Sequence, residues 1–315
     1  MSYAQGSTIA ATDYNGFTGG QDLGVAFASA AAATQKASAL LGVGYGDRGY
    51  GQSTPSLPAK VSGNSIAAID WTNLRTALST LNSHQGSGVT LPAAAVAGNS
   101  VAYDAQYAAD LATLDANRFN TNSGASMTLT SNALTISRVG TWGAGSAGIT
   151  AIETVTFASE DAARYFFNTG GELRFALSHP AGSVQDNNWN AGLAAVGTIA
   201  FKANATTRSG TSGTPAAVGY YQLTTTNQAI VSGVIGTGAY TSNTITVSAR
   251  AAAITGLNGA KGFQIIFTFT LTDAHTNAFS DVCAAGTAVV ASHLRATAVL
   301  TGIAAPTFAQ TQAWA

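Results

Sequence analysis

Charge is the scarcest property of this sequence. Charged residues fill 9% of its 315 positions, where an ordinary soluble domain carries about 25%. Lys and Arg are spread in ones and twos and the net charge is −1. Without a basic patch to neutralise phosphates or anionic headgroups, nucleic acid and membrane surfaces are excluded as expected partners. Cysteine is reduced to Cys283, which excludes an intrachain disulfide, a CxxC pair and a cysteine zinc cluster. No stretch offers about 18 uninterrupted apolar residues, so membrane insertion is not expected. The first ten residues lack the basic start and apolar run of a secretory signal. The expectation is a chain that folds in the cytoplasm where it is made.

Apolar residues are plentiful at 46%, above the range of disordered chains, but Ala and Val supply much of that share. Ser, Thr, Asn and Gln replace charge on the surface. A polar but uncharged skin suits broad protein contacts, because no ion has to be stripped of water when it is covered. The length accommodates two compact units.

Punctuation by Gly, Pro and Ser is dense at 42–58 and again at 122–148, dividing a front third from the rest. In that third, residues 26–41 form an alanine-rich helix candidate closed by the glycines after it. Asp70 is the expected N-cap of a second helix, with Trp71, Leu74, Leu78 and Leu81 on one stripe and Gly86 as the stop. A third helix is expected over 103–118, with Tyr107, Leu111 and Leu114 facing inward.

After Asn122 the pattern changes to β-branched alternation. Strands are expected at 128–136, 152–157, 172–178, 197–201, 220–225, 243–249, 263–272 and 288–301. One helix is embedded among them, capped by Ser159, carrying Glu160 and Asp161 at its positive end and closed by Gly170 and Gly171. Another, over 186–197, directs Trp189 and Leu193 inward. The fold class is therefore α+β: a small helical region over 1–122 followed by a mainly antiparallel β-sandwich over 123–315 with an inserted helix.

Motifs for chemistry are few. Gly44, Gly46 and Gly49 match the letters of a GxGxxG fingerprint, but no strand precedes them, no helix follows, and they read as a structural turn. His84, His179, His275 and His293 are scattered, so neither a metal site nor a cofactor is expected; His179 and His293 read as loop or strand-end residues. No G-x-S-x-G elbow occurs. Polysaccharide cleavage needs two placed carboxylates, for which Glu153, Glu160, Asp161 and Glu172 are the candidates. Glu160 and Asp161 are expected as helix-start charges, and Glu172 as the ion-pair partner of Arg174, two residues on along one strand face. Trp71 and Trp189 lie on buried helical stripes. Trp142, in a glycine-rich loop, and Trp314, in the tail, are the candidate exposed contacts.

Three blocks carry a resemblance. They are the run GDRGYGQ from Gly46 to Gln52, the run WTNL from Trp71 to Leu74 leading to His84 and Gln85, and a block of fourteen residues, AARYFFNTGGELRF. In this last block Arg164, Tyr165, Phe166, Phe167 and Asn168 are followed by Gly170, Gly171, Glu172, Arg174 and Phe175. Together they resemble the uncharacterised virion structural and tail-fibre-like proteins of tailed bacteriophages, including cyanophages, from about Tyr14 to Phe201. The resemblance implies a virion component with no catalytic residue set. It carries no repeats, heptads or β-helical shaft of a long fibre, so a compact appendage or neck and collar piece is expected. The expected mode of action is passive: a homo-oligomer, a trimer by analogy with phage fibres, held to other neck or tail proteins through the front third. A module binding host surface glycan is the alternative reading, and a polysaccharide depolymerase the second.

Overall fold

The computed structural model describes residues 14–15, 37–55, 57–58, 60, 64–96, 104–122, 126–143, 148–275 and 282–315. Among them are α1 (Ala37–Leu41), α2 (Ala68–Gln85), α3 (Asp104–Ala116), α4 (Glu160–Asn168) and α5 (Val184–Val196). Residues 26–36 of the first expected helix lie outside the described residues; α1 is its end.

Among the described residues thirteen strands form three antiparallel sheets. One holds five strands in the order β1 (Met127–Ser137), β12 (Ala288–Ala296), β4 (Glu172–Ser178), β5 (Thr198–Phe201) and β6 (Thr206–Arg208). The second holds six, in the order β13 (Thr307–Gln312), β3 (Gly148–Thr156), β10 (Gln264–Thr272), β9 (Thr244–Ala251), β8 (Gln228–Val234) and β7 (Thr214–Pro215). β2 (Trp142–Gly143) and β11 (Val282–Cys283) make a two-stranded ribbon. The α+β fold with a mainly antiparallel sandwich is as the sequence indicates.

The two large sheets meet through the alternate side chains of their central strands. In β10 Ile265, Phe267, Phe269 and Leu271 are fully buried, and the Phe175 ring of β4 sits 4.5 Å from Phe267 and 5.3 Å from Phe269. Phe201 of β5 meets Phe267 edge-on at 5.3 Å. Period-two alternation on both facing strands produces this interdigitated layer. Phe263 falls just before β10 and is exposed.

Helices α4 and α5 flank β4 in sequence and pack at its opposite ends. The Phe167 ring stacks on Tyr220 at 4.6 Å and meets Phe201 edge-on at 5.8 Å. Ser159 caps α4, its hydroxyl accepting from the Ala162 N–H at 3.0 Å. The front helices join the same apolar cluster as the sandwich, through Leu74, Leu78, Leu81, Leu111 and Leu114.

Three local expectations need correction. The N-cap of α2 is Ala67, not Asp70; Asp70 is the third helical residue and its carboxylate turns back to accept from the Ala67 N–H at 2.7 Å. Lys60 pairs with that carboxylate at 2.8 Å. Residues 220–225 are no strand: Tyr220–Gln222 is a single 3-10 turn that seats Tyr220 against α4. The strand of that region is β8, three residues further on. The last long strand ends at Ala296 rather than at residue 301.

Candidate functional site

The distinctive block of the sequence, from Arg164 to Phe175, spans α4, the Gly170–Gly171 turn and the start of β4. Its polar members hold the GDRGYGQ loop. The Arg164 side chain is fully buried, and its guanidinium donates to the carbonyls of Gly46 (3.1 Å), Val43 (3.1 Å) and Arg48 (2.9 Å) and to Asp161 Oδ1 (2.6 Å). Asn168 Nδ2 donates to the carbonyls of Gly46 (3.2 Å) and Gly49 (3.0 Å). The Tyr221 hydroxyl bridges the two segments, 2.7 Å from the Gly46 carbonyl and 2.6 Å from Asn168 Oδ1. Five donors on rigid planar groups are satisfied by loop carbonyls that no strand pairs, as buried backbone requires.

Glycines in both segments sit where a side chain has no room. At Gly51, with φ 65°, an added Cβ would lie 2.3 Å from the Tyr165 ring. At Gly171 it would lie 2.4 Å from the Phe166 carbonyl, and at Gly170, with φ 78°, 2.2 Å from the Thr121 methyl. Gly44, Gly46 and Gly49 likewise have positive φ, which suits a tight turn. The turn reading of GxGxxG holds, and the carbonyls of Gly46 and Gly49 are among those that α4 clamps.

From this loop the contacts continue to α3. Arg48 forks onto the Asp115 carboxylate at 2.7 and 3.0 Å, and Arg118 reaches Asp47 at 2.6 Å. The block and the loop thus form a structural interlock between the front helices and the sandwich.

Beside this interlock a cleft of ≈ 500 Å³ opens between the front region and the sandwich. Its walls include Phe119, Asn120, Thr121, Glu172, Lys202 and Asn204. Glu172 sits between two cations, 2.7 Å from Arg174 and 3.1 Å from Lys202. The pairing of Glu172 with Arg174 on one strand face is therefore as the sequence indicates.

The candidate carboxylates are occupied by separate structural contacts or buried. Glu160 accepts from the Thr255 hydroxyl at 2.6 Å and the Leu257 N–H at 3.2 Å, so it tethers a loop as well as favouring the start of α4. Asp161 is held by Arg164 and by Asn258 at 3.1 Å. Glu153 is fully buried on the inward face of β3, and burial raises its pKa to about 8. Glu172 is the only carboxylate among the residues described as lining the cleft.

Both tryptophans expected on the surface are buried. Trp142 is 5% exposed and Trp314 6%. The Trp142 ring lies 4.9 Å from Trp189, and its Nε1 donates to Thr287 Oγ1 at 2.9 Å. Trp314 donates from Nε1 to the Ile136 carbonyl at 3.1 Å, while its own carbonyl accepts from Arg138. Glycine-rich and terminal context suggested exposure, but each indole found a long-range acceptor and an apolar seat.

Of the two histidines, His179 stands at a strand end as expected and His293 does not. His293 lies within β12 rather than at a strand end and is buried, with its ring 5.8 Å from Phe308. His179 follows β4 directly but is buried, in a polar cluster with Asp186 and Cys283. No spacing signal links positions 179, 186 and 283, so only the fold brings them together.

Compared with known proteins, the chain matches no family model, no curated protein and no solved structure. Among the described residues no helix is long and apolar enough to cross a membrane.

Proposed function

We propose that this chain is a structural component of a bacteriophage particle, a compact tail or neck appendage that acts through symmetric contacts with copies of itself and with neighbouring virion proteins. The observation that supports this most is the edge strand β1. It runs for 11 residues without a charged residue or a proline, and Thr128, Leu129, Thr130, Ser131 and Asn132 are all exposed, so both faces of its first half are open. Sheet edges normally carry Lys, Pro or a covering loop to stop them pairing with another chain. Among the described residues the device on this stretch is the irregularity between Thr130 and Leu134, where Asn132 takes φ 53°. The neighbouring edge, β13, is also uncharged and mostly exposed. A nearly neutral surface with open edges is suited to burial against further copies, where symmetry multiplies each contact. The proposed occupant of the β1 edge is a second copy of this chain, with a trimer as the assembly and the front third as the anchor to the particle.

Light scattering on the purified chain tests this directly. A trimer is expected for the wild type, and a monomer with unchanged circular dichroism for the double variant Leu129→Lys, Thr130→Lys. A monomeric wild type at high micromolar concentration sinks the proposal. Cryo-electron microscopy of the particle then locates the chain.

The cleft beside Glu172 supports a second reading, the binding of a host surface glycan. Its amide groups, Asn120 and Asn204, and its aromatic wall, Phe119, are the residue types that hold sugars. Loss of host adsorption on Asn204→Ala, with assembly intact, would favour it.

A further inference from the structure

At the end of β4 opposite the interlock, His179, Asp186 and Cys283 place an imidazole nitrogen, a carboxylate oxygen and a thiol sulfur all within 4.8 Å of one another, and all three side chains are buried. We infer that these three side chains form a binding site for one Zn²⁺ ion. A tetrahedral zinc with one sulfur ligand at about 2.3 Å and nitrogen or oxygen ligands at about 2.0–2.2 Å keeps its ligand atoms roughly 3.5 Å apart. The cluster is therefore already near the required size.

The ligands arrive from three separate elements, so the ion would cross-link them. His179 directly follows β4, Asp186 lies in the first turn of α5, and Cys283 lies in the ribbon strand β11. In a chain with a single cysteine, a metal link between a sheet, a helix and a ribbon supplies the stapling that a disulfide cannot.

The surrounding hydrogen bonds orient the donors. His179 Nε2 is 2.8 Å from Asp186 Oδ1, and its Nδ1 is 2.8 Å from Thr287 Oγ1, which also accepts from Trp142 Nε1. This is the outer-shell support that metal-bound imidazoles require. Asp186 Oδ2 is occupied by the Ser183 N–H and hydroxyl, both at 2.8 Å, while Oδ1 accepts from the Ala284 N–H at 2.8 Å. Oδ1 therefore faces the cluster.

Binding balances in charge and protons. The Cys283 thiol releases one proton and binds as thiolate. The neutral imidazole moves its proton from Nε2 to Nδ1, where Thr287 Oγ1 accepts it, and Nε2 takes the ion. One thiolate and one carboxylate neutralise Zn²⁺ in a site that water does not reach freely, and one water completes the fourth position. A thiolate ligand favours Zn²⁺ over Mg²⁺ or Ca²⁺.

The test is titration of the full chain, stripped with chelator, by Co²⁺ as the spectroscopic stand-in and then by Zn²⁺. One equivalent of Co²⁺ is expected to give a thiolate-to-cobalt absorption band and to quench tryptophan emission, since the Trp142 ring is 5.9 Å from His179. Zn²⁺ is expected to displace it and to raise the thermal midpoint. Cys283→Ser is expected to lose the band and to bind at least tenfold more weakly, while melting like the metal-free wild type. His179→Gln is the second variant, with the same loss expected, should the serine chain not fold. A wild type that gives no band at one equivalent, or a folded variant that binds as tightly as wild type, overturns the inference.

Discussion

Glu153 offers the sharpest test of how this core is built. It occupies the middle of β3, opposite Phe267 on β10 and Gln310 on β13, on the inward face with Ala151 and Val155. Neither carboxyl oxygen has a hydrogen-bond partner among the described residues, and desolvation raises its pKa from 4.5 to about 8. The folded protein therefore holds a proton there that the unfolded chain releases above about pH 4.5. Folding takes up that proton, so stability falls as pH rises, and the fall is complete once pH passes the folded value. His84 and His293 act oppositely: burial lowers both, His84 to about 4. Their contribution is complete only well above about pH 6.5 and is lost as pH falls below it. An unfolded imidazole is still half protonated at about pH 6.5, so between pH 6.5 and 8 the two histidines still add some stability, and comparison with Glu153→Gln, which keeps the shape and removes the proton, isolates Glu153. At about 1.4 kcal/mol per pH unit, the wild type is expected to lose about 2 kcal/mol relative to that variant across the window. The variant itself is expected to gain slightly in stability. Urea unfolding followed by tryptophan emission at pH 6.5, 7.25 and 8 measures both slopes. A variant with the wild-type slope refutes the placement of an unpaired carboxyl in the core.

Three further outcomes are expected. Arg164→Met leaves the carbonyls of Val43 and Arg48 without the guanidinium donor, removes one of the three donors to that of Gly46 and is expected to cost about 3–5 kcal/mol, with faster proteolysis at residues 42–52; cleavage at the wild-type rate would contradict the interlock. Gly51→Ala forces a methyl into the Tyr165 ring at a left-handed φ, for an expected loss of about 2–3 kcal/mol by urea unfolding; the double variant with Tyr165→Ala should recover part of it. Tyr221→Phe removes the one hydroxyl hydrogen that the Gly46 carbonyl and Asn168 Oδ1 share and is expected to cost about 1 kcal/mol, a value that calorimetry of the two proteins resolves.

The alternation of Ile265, Phe267, Phe269 and Leu271, the stripe of Leu74, Leu78 and Leu81, the Ser159 cap and the Glu172–Arg174 pair were all legible in the sequence. Each depends on residues within one element, where a period of 2 or 3.6 fixes which side chains share a face. Strands at the sheet margins were harder to read. β13 has few large apolar residues, because an edge strand half covered by its neighbour needs few.

Burial of Trp142, Trp314 and His179 was not legible. Each is decided by a partner more than a hundred positions away: Thr287 for Trp142 and for His179, and Ile136 for Trp314. The same holds for the interlock, where two segments both visible as motifs proved to be the two halves of one contact. Composition and periodicity by themselves determined an uncharged α+β sandwich with helices at its front. Which buried polar groups meet, and so where an ion or a ligand has a seat, was decided only by the tertiary fold, because hydrogen bonds and metal ligation require atoms within a few ångströms and sequence distance carries no information about that.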